Sequence, residues 1–462
     1  MTTSTSSAHA LLRRRSLLGL GALSALAVSS TTRRVWAQPA PAAGRTALDG
    51  GRLVVVFLRG AYDGLSAFVP YADRDYYAIR PNISIAAPDG TAQAAVKLDA
   101  TFALHPALSP LLPLWQQGVL GFVPAAGLPV PNRSHFDAQF QMEIARTGKT
   151  SSAPGWLNHV ADLNVNKSSA AAIGVGEANP AILGGPAAVR LIPRGQAAER
   201  TGVLANDKTR QALLDLYGGN DSISAAFRQG AGSRMQSAQE LSTEKKLADG
   251  RRDMTMREGQ HMADSRLDGE GAYANPQFRA AQMLAASNGA ADPFGLQLDA
   301  QHLGTLMRND RNLRLGFLSA GGWDTHANQG AASGQLANNL ANLGKGIAQL
   351  RQDFPEPGDV IVVMSEFGRT SAENGTRGTD HGFGNALWLI GNRVAGGRWH
   401  GEWTGLAQGN LNEGRDLPAH HDYRAVLAQV LRRTFALGDS QLSDVLPNTP
   451  WDRRLDGLLK KT

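Results

Sequence analysis

Carboxylates and imidazoles recur in this chain wherever a strand-like apolar run has just ended. Asp63 follows RLVVVFL, and Ser134-His135 follows GVLGFVP. Asp324-x-His326 follows the run Leu313 to Ser319. Glu366, then Asp380-His381, follow the run Val360 to Met364. A lone Asp after a strand is more often a turn residue, but four strand ends carrying such groups point to one site. Carboxylate oxygens and imidazole nitrogens suit Zn²⁺, Mn²⁺, Mg²⁺ or Ca²⁺. The sequence has no cysteine, which excludes disulfides, thiolate catalysis, iron–sulfur clusters and cysteine-type zinc sites. A hydroxyl at a helix N-terminus beside a divalent cation can ionise near neutral pH and attack an ester. Ser134, just before the helix-like Ala138 to Arg146, is placed for that role. Arg133 or Arg369 can hold an anion by a forked contact. No G-x-S-x-G elbow supports a serine-hydrolase triad.

The elements that must position these groups alternate. Arg52–Leu58, Val119–Val123, Leu313–Ser319, Val360–Met364 and Ala386–Gly391 read as buried strands, with weaker ones at Ala170–Gly174 and Val189–Ile192. Helices are expected at Leu108–Gln117 and at Asp422–Phe435. Leu336, Leu340, Leu343, Ile347 and Leu350 step by four and three along one helix face. Strands alternating with helices predict an α/β fold with a mostly parallel sheet. Ligands in such sheets bind beyond the carboxyl ends of the strands, so the polar clusters would meet at one edge.

The chain ends and the composition set the rest. Arg13-Arg14-Arg15-Ser16-Leu17-Leu18, a short apolar run and Val35-Trp36-Ala37 read as a twin-arginine export signal over residues 1–37, with no membrane anchor. Of the chain's 46 basic residues, set against 40 acidic ones, five lie in that signal. The remainder is near neutral and has no electrostatic footprint for nucleic acid. Residues 38–48 read as a flexible lead-in. Residues 49–462 read as a single domain, with a polar helical insertion at 195–291. The expected location is periplasmic or secreted.

FLRGAYDGLS, NRSHFDAQ, GGWDTHANQ and MSEFGRT followed by GTDHG, in this order, resemble the secreted bacterial family called domain of unknown function 1501. That family is similar in fold to the alkaline phosphatase, sulfatase and cofactor-independent phosphoglycerate mutase superfamily. The resemblance implies a doubly wound sheet, a hydroxyl nucleophile at Ser134 and one or two divalent metals. It implies metal ligands among the strand-end groups: Asp324, His326, Asp380 and His381 are the first choices, and Asp63 and Glu366 the second. Phe367 stands where the superfamily carries a histidine. The function expected is hydrolysis or transfer of phosphate or sulfate esters on an anionic small molecule or glycan. The alternative is a non-catalytic binding or assembly protein on the same scaffold.

Overall fold

The computed structural model describes residues 48, 50–148, 153–165, 169–253 and 276–460. The expected export signal lies outside them, as does residue 254–275 of the insertion. Among the described residues nine strands form the main sheet: β1 (Leu53–Leu58), β2 (Leu120–Gly127), β3 (Ala172–Val175), β4 (Val189–Ile192), β5 (Leu315–Ala320), β6 (Val360–Ser365), β7 (Asn385–Ile390), β8 (Arg398–Trp399) and β9 (His421–Asp422). Their order is β8-β2-β7-β6-β1-β5-β3-β4, with β9 also on β2. All neighbours are parallel except β7, which runs antiparallel between β2 and β6.

The helices used below are α1 (His135–Ile144), α2 (Trp156–Leu163), α3 (Asp207–Leu216), α4 (Ser222–Asp253), α5 (Pro276–Ser287), α6 (Leu296–Asn309), α7 (Gln335–Asp353) and α8 (Tyr423–Phe435). β1 shows why the sheet is covered on both faces. Leu53, Val55 and Phe57 join one apolar layer with Trp156 of α2 and Val426 and Leu427 of α8. Val54, Val56 and Leu58 join the opposite layer with Leu303 of α6 and Leu340, Leu343 and Ile347 of α7. Successive strand side chains point to opposite faces, so an unbroken apolar run needs helices on both. The fold is a doubly wound, mostly parallel α/β sheet.

Register aligns the functional edge. Leu58 at the end of β1 stands beside Ala320 of β5 and Ser365 of β6. The chain therefore leaves all three strands in one row, and β2, pointing the same way, delivers its loop to that edge.

The stretch expected as one helix over Leu108–Gln117 is two pieces, a 3₁₀ segment Pro106–Leu111 and a short α-helix Leu112–Gln116. Pro110 and Pro113 remove amide donors a continuous helix would need. Within 195–291, α3 and α4 bury Leu213, Tyr217 and Phe227 in a small cluster of their own with Leu204. No described helix is long and apolar enough to cross a membrane.

Candidate metal centre

Three ring nitrogens and one carboxylate oxygen converge at the strand-end edge. His135 begins α1 and is buried, its ring centroid 4.9 Å from that of Phe367. Asp324 and His326 leave β5, and His381 comes from the loop between β6 and β7. The Nε2 of His381 lies 2.9 Å from Nε2 of His135, 3.0 Å from Nε2 of His326 and 3.1 Å from Asp324 Oδ1. Asp324 Oδ1 is also 3.3 Å from His135 Nε2 and 2.9 Å from His326 Nε2. The donor atoms of His135, Asp324 and His381 all lie within 4.8 Å of one another. His326 borders the edge shared by Asp324 and His381.

The far side of each ring fixes its sense. His135 Nδ1 meets Glu366 Oε1 at 2.8 Å, His326 Nδ1 meets Asp380 Oδ1 at 3.0 Å, and His381 Nδ1 meets the Arg133 carbonyl at 2.9 Å. Carboxylates and carbonyls accept, so each Nδ1 carries a proton and donates. The neutral rings therefore aim Nε2 lone pairs at one another, an arrangement that needs extra protons or a cation. Zinc bonds of about 2.0–2.1 Å imply ligand–ligand edges of about 3.3 Å, close to the separations among His135, Asp324 and His381. A carboxylate or carbonyl behind each imidazole is the usual outer support of a metal-bound histidine. The residues fit a divalent cation.

Electrostatics agree. Burial opposes charge on His135, but hydrogen bonds to Asp324 and Glu366 outweigh it and raise its pKa to about 9. The Asp324 hydrogen bond likewise raises His326. Burial would raise Asp324, yet His135, His326, His381 and Arg369 hold it far below the usual carboxylate range. Burial also opposes ionisation of Glu366, and the hydrogen bond from His135 leads the groups that lower it. Side-chain exposure rises from 5% at Asp324 to 24% at His381 and 38% at His326. The site therefore opens to solvent on the His326 side.

Close approaches of backbone hold the loops in place. Gly60, at φ +111, donates its N–H to Glu366 Oε1 at 2.8 Å. A Cβ on Gly378 would lie 2.4 Å from the His326 carbonyl carbon, so only glycine lets the 366–382 loop pack against His326.

Not every expected residue joins the cluster. Asp63, expected as a ligand, is buried and gives its oxygens to Arg80 at 2.6 and 3.1 Å, to Ser66 and to Gln329. The positive φ at Gly60 and Ala61 redirects the chain after β1. Glu366, also expected as a ligand, lies behind His135 and orients it. Asp380, likewise expected as a ligand, lies behind His326 and orients it through Nδ1. Arg369, expected to hold an anion, is fully buried. It donates to the carbonyls of Gly60, Ala61, Trp323 and Thr379 and to Asp324 Oδ1, which ties the loops after β1, β5 and β6 together. Ser134 is exposed at the N-cap of α1, its side chain caps nothing, and its neighbours Arg133 and His135 both contact the cluster.

Two residues of the centre were given no role by the sequence, although His135 was noted beside Ser134. His135 adjoins Ser134 in the motif NRSHFDAQ, and Gln139 lies one helical turn beyond it, on the same face of α1.

Residues 51–446 match the family described as "Protein of unknown function (DUF1501)", and the chain belongs to that family. A comparison with curated proteins finds no match. Two similar solved structures are mutants of TAB5 alkaline phosphatase with Mg bound in the M3 site. Each has a TM-score of 0.32 and 10% sequence identity, covering 77% of this chain and 95% of the other. An overlay this loose decides nothing about chemistry.

Proposed function

We propose that the chain is an exported metal-dependent hydrolase or transferase acting on phosphate or sulfate esters. The metal would be held by Nε2 of His135, His326 and His381 and by Asp324 Oδ1. The convergence of those four atoms, each ring backed by an acceptor, is the observation that carries this reading. Three imidazoles with one carboxylate favour Zn²⁺ or Mn²⁺ over Mg²⁺ or Ca²⁺, which prefer oxygen. Such a cation would supply Lewis acidity and lower the pKa of an oxygen nucleophile.

The chain's own residues contribute the rest. Ser134 presents a hydroxyl free of capping duty beside His135. The first turn of α1 favours an anion there. Glu366 and Asp380 keep the protons of His135 and His326 on Nδ1. Arg133, one-third exposed, is the guanidinium left to meet an ester anion. The Arg13-Arg14-Arg15 signal supports export after folding.

A second reading, a non-catalytic binding or assembly protein, is favoured by one observation. Arg369 spends its donors on backbone and Asp324, and Arg133 is paired with Glu413 and Asp416. One experiment separates the two: metal analysis of the purified chain, then assays of aryl phosphate monoesters, diesters and sulfates beside Ser134→Ala. Bound metal with turnover lost in Ser134→Ala supports the hydrolase. Bound metal with no turnover across the panel supports the binding protein. Absence of metal, or turnover indifferent to Ser134→Ala, sinks the serine-hydrolase reading.

A further inference from the structure

Behind Glu366 lies a buried polar chain that the chemistry above does not use. Arg59, directly after β1, is 1% exposed. Its Nε donates to Glu177 at 2.6 Å. Its Nη1 donates to Gln139 Oε1 at 3.0 Å and to Glu143 at 3.3 Å, and its Nη2 to Glu143 at 2.8 Å and Glu177 at 2.9 Å. All five guanidinium N–H groups are engaged, so the fork cannot turn.

Gln139 is fully buried between Arg59 and Glu366. Its amide can face only one way. Arg59 only donates, so it must meet the amide oxygen. The Ala286 carbonyl, 2.7 Å from Nε2, only accepts, so it must meet the amide nitrogen. Gln139 Nε2 then donates to Glu366 Oε1 at 2.9 Å, the oxygen that also accepts from Gly60 N–H. With two N–H groups already aimed at it, that oxygen can carry no proton of its own. It must accept from His135 Nδ1 as well.

Resting on the metal reading above, we infer that Gln139 is a positioning residue of the metal centre. Arg59 sets the sense of its amide, and through Glu366 it fixes the proton of His135 on Nδ1 and leaves Nε2 for the metal. The Ser365 hydroxyl lies 2.9 Å from Glu366 Oε2, but its one proton has the Leu58 carbonyl at 2.5 Å as the nearer acceptor. A purely structural role for Gln139 would lower stability and leave the ligand unaffected.

The test uses the full chain and two readouts. Zn²⁺ affinity is measured by competition with a chelating dye for the wild type and for Gln139→Met, which keeps the length and removes the amide. The expected loss is about tenfold or more, the scale of an outer-shell partner. The His135 Nδ1 proton is followed by ¹H–¹⁵N spectroscopy in the metal-free chain. In the wild type it is expected to be present and slow to exchange, held by Glu366 Oε1. In Gln139→Met it is expected to exchange faster. A folded Gln139→Met with unchanged affinity and unchanged exchange overturns the inference. So does a wild-type chain with no His135 Nδ1 proton hydrogen-bonded to Glu366, a result obtainable even if Gln139→Met does not fold. A wild type that binds no Zn²⁺ yet keeps the Nδ1 proton overturns the metal reading and leaves the Arg59–Gln139–Glu366 chain standing.

Discussion

The Nε2 atoms of His135 and His381 stand 2.9 Å apart, although each ring already donates its other proton to an acceptor behind it. Two neutral rings so constrained would oppose lone pair to lone pair. Removing either ring removes a donor that the remaining groups cannot replace. His381→Ala should lower zinc affinity by more than the roughly 10–100-fold typical of losing an outer-shell partner. Metal titration with Asp380→Asn alongside checks the ranking, since Asp380 only supports His326. An equal loss in both variants would contradict the assignment.

The raised pKa of His135, about 9, gives the metal-free protein a definite pH dependence. An unfolded histidine titrates near 6.5, so the folded state binds the proton more tightly. The stabilisation is fully present below about pH 6.5 and is lost as pH rises through about 9. A metal bound through His135 would compete with that proton, so apparent metal affinity should rise over the same interval. Urea unfolding of the chelator-treated protein from pH 6 to 10 should show falling stability. A His135→Gln variant should flatten the slope.

Asp63 and Arg80 form a buried ion pair away from the cluster. Asp63→Asn leaves the Arg80 charge without its partner and should cost about 3–5 kcal/mol, read by denaturant unfolding. Metal affinity per folded molecule should stay within twofold, in contrast to His381→Ala.

Arg369→Met should act on the framework rather than on substrate affinity. It strips bonds from four carbonyls and from Asp324. Stability is expected to fall by about 3 kcal/mol or more, and any residual activity should keep its KM. A raised KM in a fully stable variant would return Arg369 to the substrate.

Ser134→Ala offers the reverse signature. An N-cap serine usually contributes about 1 kcal/mol through its side-chain bond, but this one makes none. The free energy of unfolding should shift by less than about 0.5 kcal/mol, while turnover of an aryl ester collapses.

β1, β2, β5, β6 and β7 were legible because each is almost wholly apolar, as a strand covered on both faces must be. Val189–Ile192 appears at the residues expected, and β1, β5, β6 and β7 shift by one or two. The edge carrying the site was legible too, from the polar groups that follow β1, β2, β5 and β6. Which of those groups points inward was not. Asp63 turns away because the backbone after β1 passes through positive φ at Gly60 and Ala61, and its partner Arg80 lies 17 positions on. Glu366 and His135 exchanged expected importance. A carboxylate directly at a strand end looks like a ligand, while the imidazole it orients sat unassigned beside Ser134. Residue types tell that a metal could bind, but not which group stands in front and which behind.

The four converging atoms come from stretches that are neighbours only in the finished molecule. His135 and His381 are 246 positions apart, and the strands delivering them are separated in the sheet by the antiparallel β7. No fragment of the chain can assemble the site early, and a half-built sheet offers no foothold. An ion that binds the completed fold adds its binding free energy to the whole unfolding equilibrium. Occupancy of the centre would therefore serve as a seal on a finished molecule, set only after the last strand has found its place.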